Sequence, residues 1–338
     1  MNKETTRKLA SVQQVIDTQP IEGADAIEVA SVLGWKCVTR KSEFNPGDLG
    51  IFFEIDSVLP EKPCFEFMRQ RKFRVRTVRL RGQLSQGLFM PLSLFPELNG
   101  MVLTEGDDVT ELLGITKYDP PGQHGGISNR RAGYPPHVNK ADEVRVQSEP
   151  SLREALLGLP YVATVKMDGT SGTFTMVDGE FHACSRNLSV KDEEGSPYWT
   201  VARKYHLPEL LAQYPHLAIQ GEICGPAIQG NKPNLKEVDL FVFDIYDKQQ
   251  GRYLLHGERT TIILDNGLTR VPVEEVGDDF QYTLEELLEK AKGKYTGTTN
   301  EREGLVFRTL NETPHPLGAN GRLSFKVLSD AFLLKEKD

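Results

Sequence analysis

The chain carries only four cysteines in 338 residues, at positions 37, 64, 184 and 224, with no Cys-x-x-Cys pair. That spacing excludes a disulfide framework and a thiolate zinc site, and it suits a reducing cytoplasm. The histidines, at 124, 137, 182, 206, 216, 256 and 315, show no metal-ligand spacing either. No apolar run approaches the ~20 residues that cross a bilayer, so no membrane association is expected. The start, Met-Asn-Lys-Glu-Thr-Thr-Arg-Lys, is charged and has no apolar segment behind it, so no signal peptide is expected. Excess positive charge is lacking as well. The 40 Lys+Arg stand against 48 Asp+Glu, net −8, so overall charge does not announce a nucleic-acid partner.

What is present is the composition of a globular protein, 38% hydrophobic and 26% charged, long enough for two domains. Residues 9–118 read as short strands, among them 26–32, 36–39, 49–55 and 74–80. Turns at Asn45-Pro46-Gly47-Asp48 and Leu59-Pro60 separate them. An all-β domain of this size is a small barrel or sandwich. Within it, seven basic side chains fall in the thirteen residues from Arg69 to Arg81. Arg74, Arg76, Arg79 and Arg81 are expected along a curved strand, either tracking a phosphate backbone or protecting a sheet edge with charge. Residues 119–137 are dense in Pro and Gly and read as a linker, which separates a domain at 1–118 from one at 138–338. Beyond the linker, helices are expected at 151–159, 208–214 and from Thr283 to Lys292. The last opens on a capping box, Thr283 to Glu286, and carries a Glu286–Lys290 pair. Strands are expected at 161–165, 173–177, 217–220, 238–246, 304–308 and 322–327.

Lys166-Met167-Asp168-Gly169 follows the first of these strands. Ser185-Arg186-Asn187, Gln220-Gly221-Glu222, Phe241-Val242-Phe243-Asp244, Glu303-Gly304-Leu305-Val306 and Ser324-Phe325-Lys326-Val327 then come in order. Four residues alone match often by chance, and the ordered set is what carries weight. Strand alternation places Arg322, Ser324 and Lys326 on one face, and Leu323, Phe325 and Val327 toward a core. It also groups Phe241, Phe243 and Ile245 on one face, and Glu303 with Leu305 and Phe307 at a strand mouth.

These motifs resemble those of the covalent nucleotidyltransferases: DNA ligases, RNA ligases and capping enzymes. Lys-x-Asp-Gly-Thr-Ser, the Ser-Arg-Asn after it, Pro20-Ile21-Glu22-Gly23-Ala24-Asp25, Gly47-Asp48 and the run from Phe53 to Pro60 look most like the ATP-dependent RNA ligases with an N-terminal OB domain. The resemblance implies an α+β fold: an OB-like barrel, then a nucleotidyltransferase domain of ATP-grasp-like antiparallel sheets with helices. It implies that Lys166 is the nucleophile and forms a lysine–adenylate. Val165, Lys166, Arg186, Glu222, Phe243 and Lys326 would bind nucleotide. Asp168, Glu222 and Glu303 would hold Mg²⁺ or Mn²⁺, in part through its waters. Phe243 either stacks on adenine or is plain core, and Arg186 either touches the adenylate or nicked strand or makes a salt bridge.

The nucleophile must lose its proton near neutral pH, which a divalent metal or desolvation beside other cations can force. Lys326 would neutralise the phosphates as pyrophosphate leaves. The family's final motif often reads Lys-x-Lys, whereas here Ser324 takes the first place, so Arg322 or Arg308 is the expected stand-in. Only twelve residues follow Lys326, too few for a C-terminal OB domain, and so the N-terminal domain is expected to supply it. The expected partner is a nicked duplex with RNA on the 3′-hydroxyl side, bound by a monomer. A DNA ligase, a capping-type guanylyltransferase, or a non-catalytic nucleic-acid-binding protein are the alternatives.

Overall fold

The structure is a computed structural model that describes residues 7–118 and 130–335. It divides into two compact units. Residues 7–118 with Gln147–Pro150 and 333–335 make the first, and residues 130–146 with Ser151–Phe332 make the second.

In the first unit a five-stranded antiparallel sheet runs in the order Trp35–Arg40, Ile27–Val32, Ala10–Pro20, Leu49–Phe53, Leu88–Pro91. The sequence specifies these strands by alternation: Trp35, Cys37 and Thr39 are buried while Lys36 and Arg40 face solvent. The long strand Ala10–Pro20 serves two partners. Ala10–Gln14 pair with Leu49–Phe53, and a register shift between Val15 and Asp17 turns the rest onto Ile27–Val32. Such a bulge bends the sheet, so that a linear hydrophobic pattern closes around a core. That core includes Val12, Ile51 and Leu113 and an aromatic trio, Phe53, Phe65 and Phe95, with ring centroids 5.4–5.8 Å apart.

The second unit holds two antiparallel sheets. Seven strands run in the order Arg130–Gly133, Leu188–Val190, Glu180–Cys184, Thr170–Val177, Leu217–Cys224, Asp239–Asp247, Arg252–Tyr253. Four more run Val273–Gly277, Tyr161–Lys166, Gly304–Thr309, Ser324–Leu328. One face of the smaller sheet, including Ala163, Val165, Leu305, Phe307, Phe325 and Val327, packs with Leu287 and Ala291 of helix Leu284–Ala291. Stacked rings of Phe307 and Phe325, 5.5 Å apart, centre this core. The larger sheet buries Ile219, Leu240, Val242 and Ile245 against Val201, Leu207 and Leu211 of helices Pro197–Lys204 and Leu207–Gln213.

Three expectations change. Residues 119–129 of the expected linker lie outside the described residues, and Arg130–Gly133 is strand rather than linker, pairing with Leu188–Val190 at the sheet edge. The capping box forms as expected, with the Thr283 hydroxyl accepting from the Glu286 N–H at 3.3 Å. Lys290, however, turns to Glu275, 2.8 Å away, rather than to Glu286. Lastly, Phe241, Phe243 and Ile245 do not share a face. Gln220 pairs with Asp244 and Gly221 with Val242, which leaves Phe243 as the extra residue of a bulge. Phe241 and Phe243 turn toward the smaller sheet's core, and Ile245 joins Leu240 and Val242 on the other side.

Candidate active site

Strand Tyr161–Lys166 belongs to the smaller sheet and strand Thr170–Val177 to the larger, so Met167-Asp168-Gly169 is the crossing between sheets rather than a hairpin turn. Only glycine fits at the end of that crossing. A Cβ on Gly169 would lie 2.3 Å from the Ile223 carbonyl oxygen. Its N–H donates to Glu222 Oε1 at 3.1 Å, which ties the crossing to strand Leu217–Cys224.

Lys166 projects from the last residue of its strand, and its Nζ lies 2.7 Å from Glu303 Oε2. Glu303 stands just before its strand begins at Gly304, so alternation does not place it with Leu305 and Phe307 in the core. It does sit at the strand mouth. Gly304 is required there, because a Cβ would meet the Val327 carbonyl oxygen at 2.0 Å. Two backbone ties hold Glu303: its carbonyl accepts from Ser329 at 2.9 Å, and its N–H donates to the Tyr295 hydroxyl at 3.2 Å. The same hydroxyl donates to the Lys166 carbonyl at 3.1 Å. Buried Tyr295 thus links the amine-bearing residue to its carboxylate partner, a role no motif in the sequence announces.

The electrostatics are dominated by carboxylates. Burial disfavours the Lys166 ammonium, but Glu303 and Glu222 outweigh it and hold the pKa above that of an ordinary lysine. Glu222 is pushed up to about 8 by burial, against the pull of Lys166 and with the push of Glu303 and Asp168. Burial and then Glu303 also raise Asp168, while Lys232 and Lys166 oppose them. Lys232 Nζ is 2.8 Å from Asp168 Oδ2, another contact that the sequence motifs do not reveal. The neutral nucleophile expected from sequence is therefore not what these side chains favour by themselves; they keep the proton on Lys166.

Among the described residues no group of three or more His, Cys, Asp or Glu side chains is arranged to hold a metal ion. The donor chemistry nonetheless suits a hydrated divalent ion. Asp168 and Glu303 both act on Glu222 through space, all three offer hard oxygen ligands, and Mg²⁺ retains several waters.

Other expected residues are placed as follows. Lys326 lies on strand Ser324–Leu328 opposite Val306, its backbone bonded to Val144 and Val146. Ser324 is buried and donates to Glu143 at 2.6 Å. Arg308 and Arg322 are both committed to carboxylates: Arg308 to Glu143 at 2.8 Å and Arg322 to Asp244 at 3.1 Å. Buried and paired, they are not offered to a phosphate in place of the missing lysine. Val165 has its side chain in the core and its N–H on the Pro272 carbonyl, so its side chain is not offered to a nucleotide. Phe243 is half-buried on its bulge, and Arg186 is exposed with Asp142 at 2.9 Å.

The basic run of the first unit divides. Arg74 is no surface group: it is buried, 3.0 Å from Asp56, with its guanidinium 3.6 Å from the centre of the Tyr118 ring. The strand expected over 74–80 shortens to Thr77–Leu80, which pairs with Gln83–Gln86. Arg76 is half-buried, whereas Arg79 and Arg81 are exposed on this hairpin.

The fold is thus a curled OB-type sheet followed by a two-sheet nucleotidyltransferase domain. Comparison with known proteins agrees. An OB-fold domain model matches residues 9–92, and an RNA ligase model matches residues 159–328. No curated protein matches the chain. Solved structures of a Naegleria gruberi RNA ligase do. A lysine-to-methionine variant with AMP and Mn is 39% identical, covering 98% of this chain and 100% of that one, with a TM-score of 0.89. A glutamate-to-alanine variant with ATP and Mn is 38% identical over the same shares, with a TM-score of 0.89. The form with pyrophosphate is 39% identical, over 97% and 98%, with a TM-score of 0.86. The chain belongs to the RNA ligase family.

Proposed function

We propose that the protein is an ATP-dependent RNA ligase that works through a lysine–adenylate on Lys166. The observation that carries this reading is the Lys166–Glu303 contact at the crossing between the two sheets, with Glu222 and Asp168 acting on the same amine. The relatives with ATP, AMP, pyrophosphate and Mn support it.

Lys166 Nζ attacks the α-phosphorus of ATP. The new P–N bond forms as the bond to the pyrophosphate oxygen breaks, and the amine's surplus protons pass to the surroundings. Asp168, Glu222 and Glu303 would hold a hydrated divalent ion, whose positive charge would favour the neutral amine and offset charge on the phosphates. Glu303 orients the amine, and Glu222 braces the crossing through the Gly169 N–H. Lys326 is assigned to the departing pyrophosphate. A 5′-phosphate then takes the AMP, and a 3′-hydroxyl displaces it to seal the strand. A nicked duplex with RNA on the 3′-hydroxyl side is the proposed substrate, met by a monomer. Arg79 and Arg81 are the exposed cations of the first unit's hairpin assigned to phosphates. Four unpaired cysteines suit a reducing cytoplasm. Among the described residues, no helix is long and apolar enough to cross a membrane.

The test is incubation with α-labelled ATP and Mn²⁺, followed by addition of nicked duplexes. The wild type is expected to take up label covalently and to seal nicks ending in RNA, and Lys166→Ala to do neither. Label from GTP alone, or equal labelling of Lys166→Ala, contradicts the proposal; equal sealing of all-DNA nicks contradicts the choice of RNA.

A further inference from the structure

Lys232 lies in the loop between strands Leu217–Cys224 and Asp239–Asp247, and its position is over-determined. Ala227, Gln229, Asn231 and Asn234 all adopt left-handed backbone, with φ of 64, 45, 48 and 57°. Asparagine tolerates this region, but Ala227 and Gln229 hold it only where their surroundings impose it. The Asn231 side chain clamps the loop through both the N–H and the carbonyl of Leu235, at 3.0 and 2.8 Å. Asn300 donates to the Lys232 carbonyl at 2.8 Å. So held, Lys232 rests its ammonium 3.8 Å from the centre of the Phe332 ring and 2.8 Å from Asp168 Oδ2.

Three carboxylates, Asp168, Glu222 and Glu303, share this site with two ammonium groups, and Glu303 occupies that of Lys166. Lys232 is the partner of Asp168. A divalent ion drawing on Asp168 must compete with it, and a displaced ammonium on a four-carbon stem needs a new anion. The polyphosphate of ATP supplies one. The final motif has a serine where a second cation is expected, and Arg308 and Arg322 are held by buried carboxylates.

We propose that Lys232 competes with the divalent ion for Asp168 and, once displaced, becomes a second counter-charge of the pyrophosphate leaving group beside Lys326. This rests on the ligase reading above. Mn²⁺ alone and pyrophosphate alone, titrated calorimetrically into the full chain, test it. In Lys232→Met, Mn²⁺ affinity is expected to rise about two- to fivefold as a partly exposed competing ion pair is removed. Pyrophosphate affinity, measured with Mn²⁺ saturating, is expected to fall about tenfold with the loss of a charge-assisted contact. Lys232→Arg is expected to restore pyrophosphate binding and to return Mn²⁺ affinity toward wild type, which separates lost charge from a disturbed loop. Unchanged or weaker Mn²⁺ binding in Lys232→Met, or unchanged pyrophosphate binding, overturns the proposal. Failure of the wild type to label with ATP overturns the ligase reading instead, and the two titrations tell these failures apart.

Discussion

At the scale of single residues, the Tyr295 hydroxyl is the most informative group beyond the motifs. It donates to the Lys166 carbonyl and accepts from the Glu303 N–H, so one oxygen sets the spacing of amine and carboxylate. Tyr295→Phe keeps the ring and is expected to slow self-adenylylation about tenfold, since small misplacements of reacting groups are costly. The KM for ATP should be nearly unchanged, and stability should fall by about 1–3 kcal/mol for the buried N–H left unpaired. Single-turnover labelling with a thermal melt checks all three. Lys166, Asp168, Glu222 and Glu303, which meet in the structure, were legible because their ordered motifs resemble those of the nucleotidyltransferases. Tyr295 and Lys232 were not, because each acts across a fold contact, with partners 129 and 64 positions away from it by residue number. Arg74 misled for a similar reason. Alternation groups it with other arginines but cannot show that Asp56 and Tyr118 enclose it.

Among elements, the crossing at Lys166–Thr170 and the bulge at Phe243 shape the site. Most strand positions and the Thr283 capping box follow from periodicity and end signals, although the strand expected over 74–80 begins only at Thr77. The bulge does not follow, because an extra residue is a property of two strands paired and not of one read alone. It sets Phe243 and Asp244 to work on the side facing the smaller sheet, where an unbroken alternation would separate them. Gly169→Ala is expected to force the crossing away from strand Leu217–Cys224, because backbone oxygen lies 2.3 Å from the new Cβ. Adenylylation should drop about 100-fold or more, as near-attack geometry is lost. Retention of wild-type labelling by a folded Gly169→Ala chain would show that the crossing tolerates displacement.

Across the whole molecule, charge is organised in two different ways. In the second unit, Asp244, Glu143 and Glu312 meet Arg259, Arg308 and Arg322 in a buried network. Burial raises the Asp244 pKa, but Arg308, Arg322 and Arg259 more than offset it and hold it below the ordinary range. Its stabilising contribution is therefore present above the unfolded value, about 3.9, and is lost as pH falls through the lower folded value. Asp244→Asn should cost about 3–5 kcal/mol by leaving buried guanidinium charge unpaired, and should flatten the acid limb of the stability profile. Denaturant melts between neutral pH and acid check both. In the first unit, Arg79 and Arg81 remain at the surface. Replacing both with alanine should reduce the slope of log affinity for nicked duplex against log salt by about two. Arg74→Met should instead lower the melting temperature and leave that slope alone.

Peptide mass spectrometry reads out whether Lys166 becomes covalently bonded to AMP. After incubation with ATP and Mn²⁺, the protein should carry one added AMP, localised by fragmentation to Lys166. Glu303→Gln should show far less of it, by about 100-fold or more, as preorganised charge at the amine is lost. An AMP adduct on another residue, or none on a folded wild-type chain, would contradict covalent catalysis through Lys166.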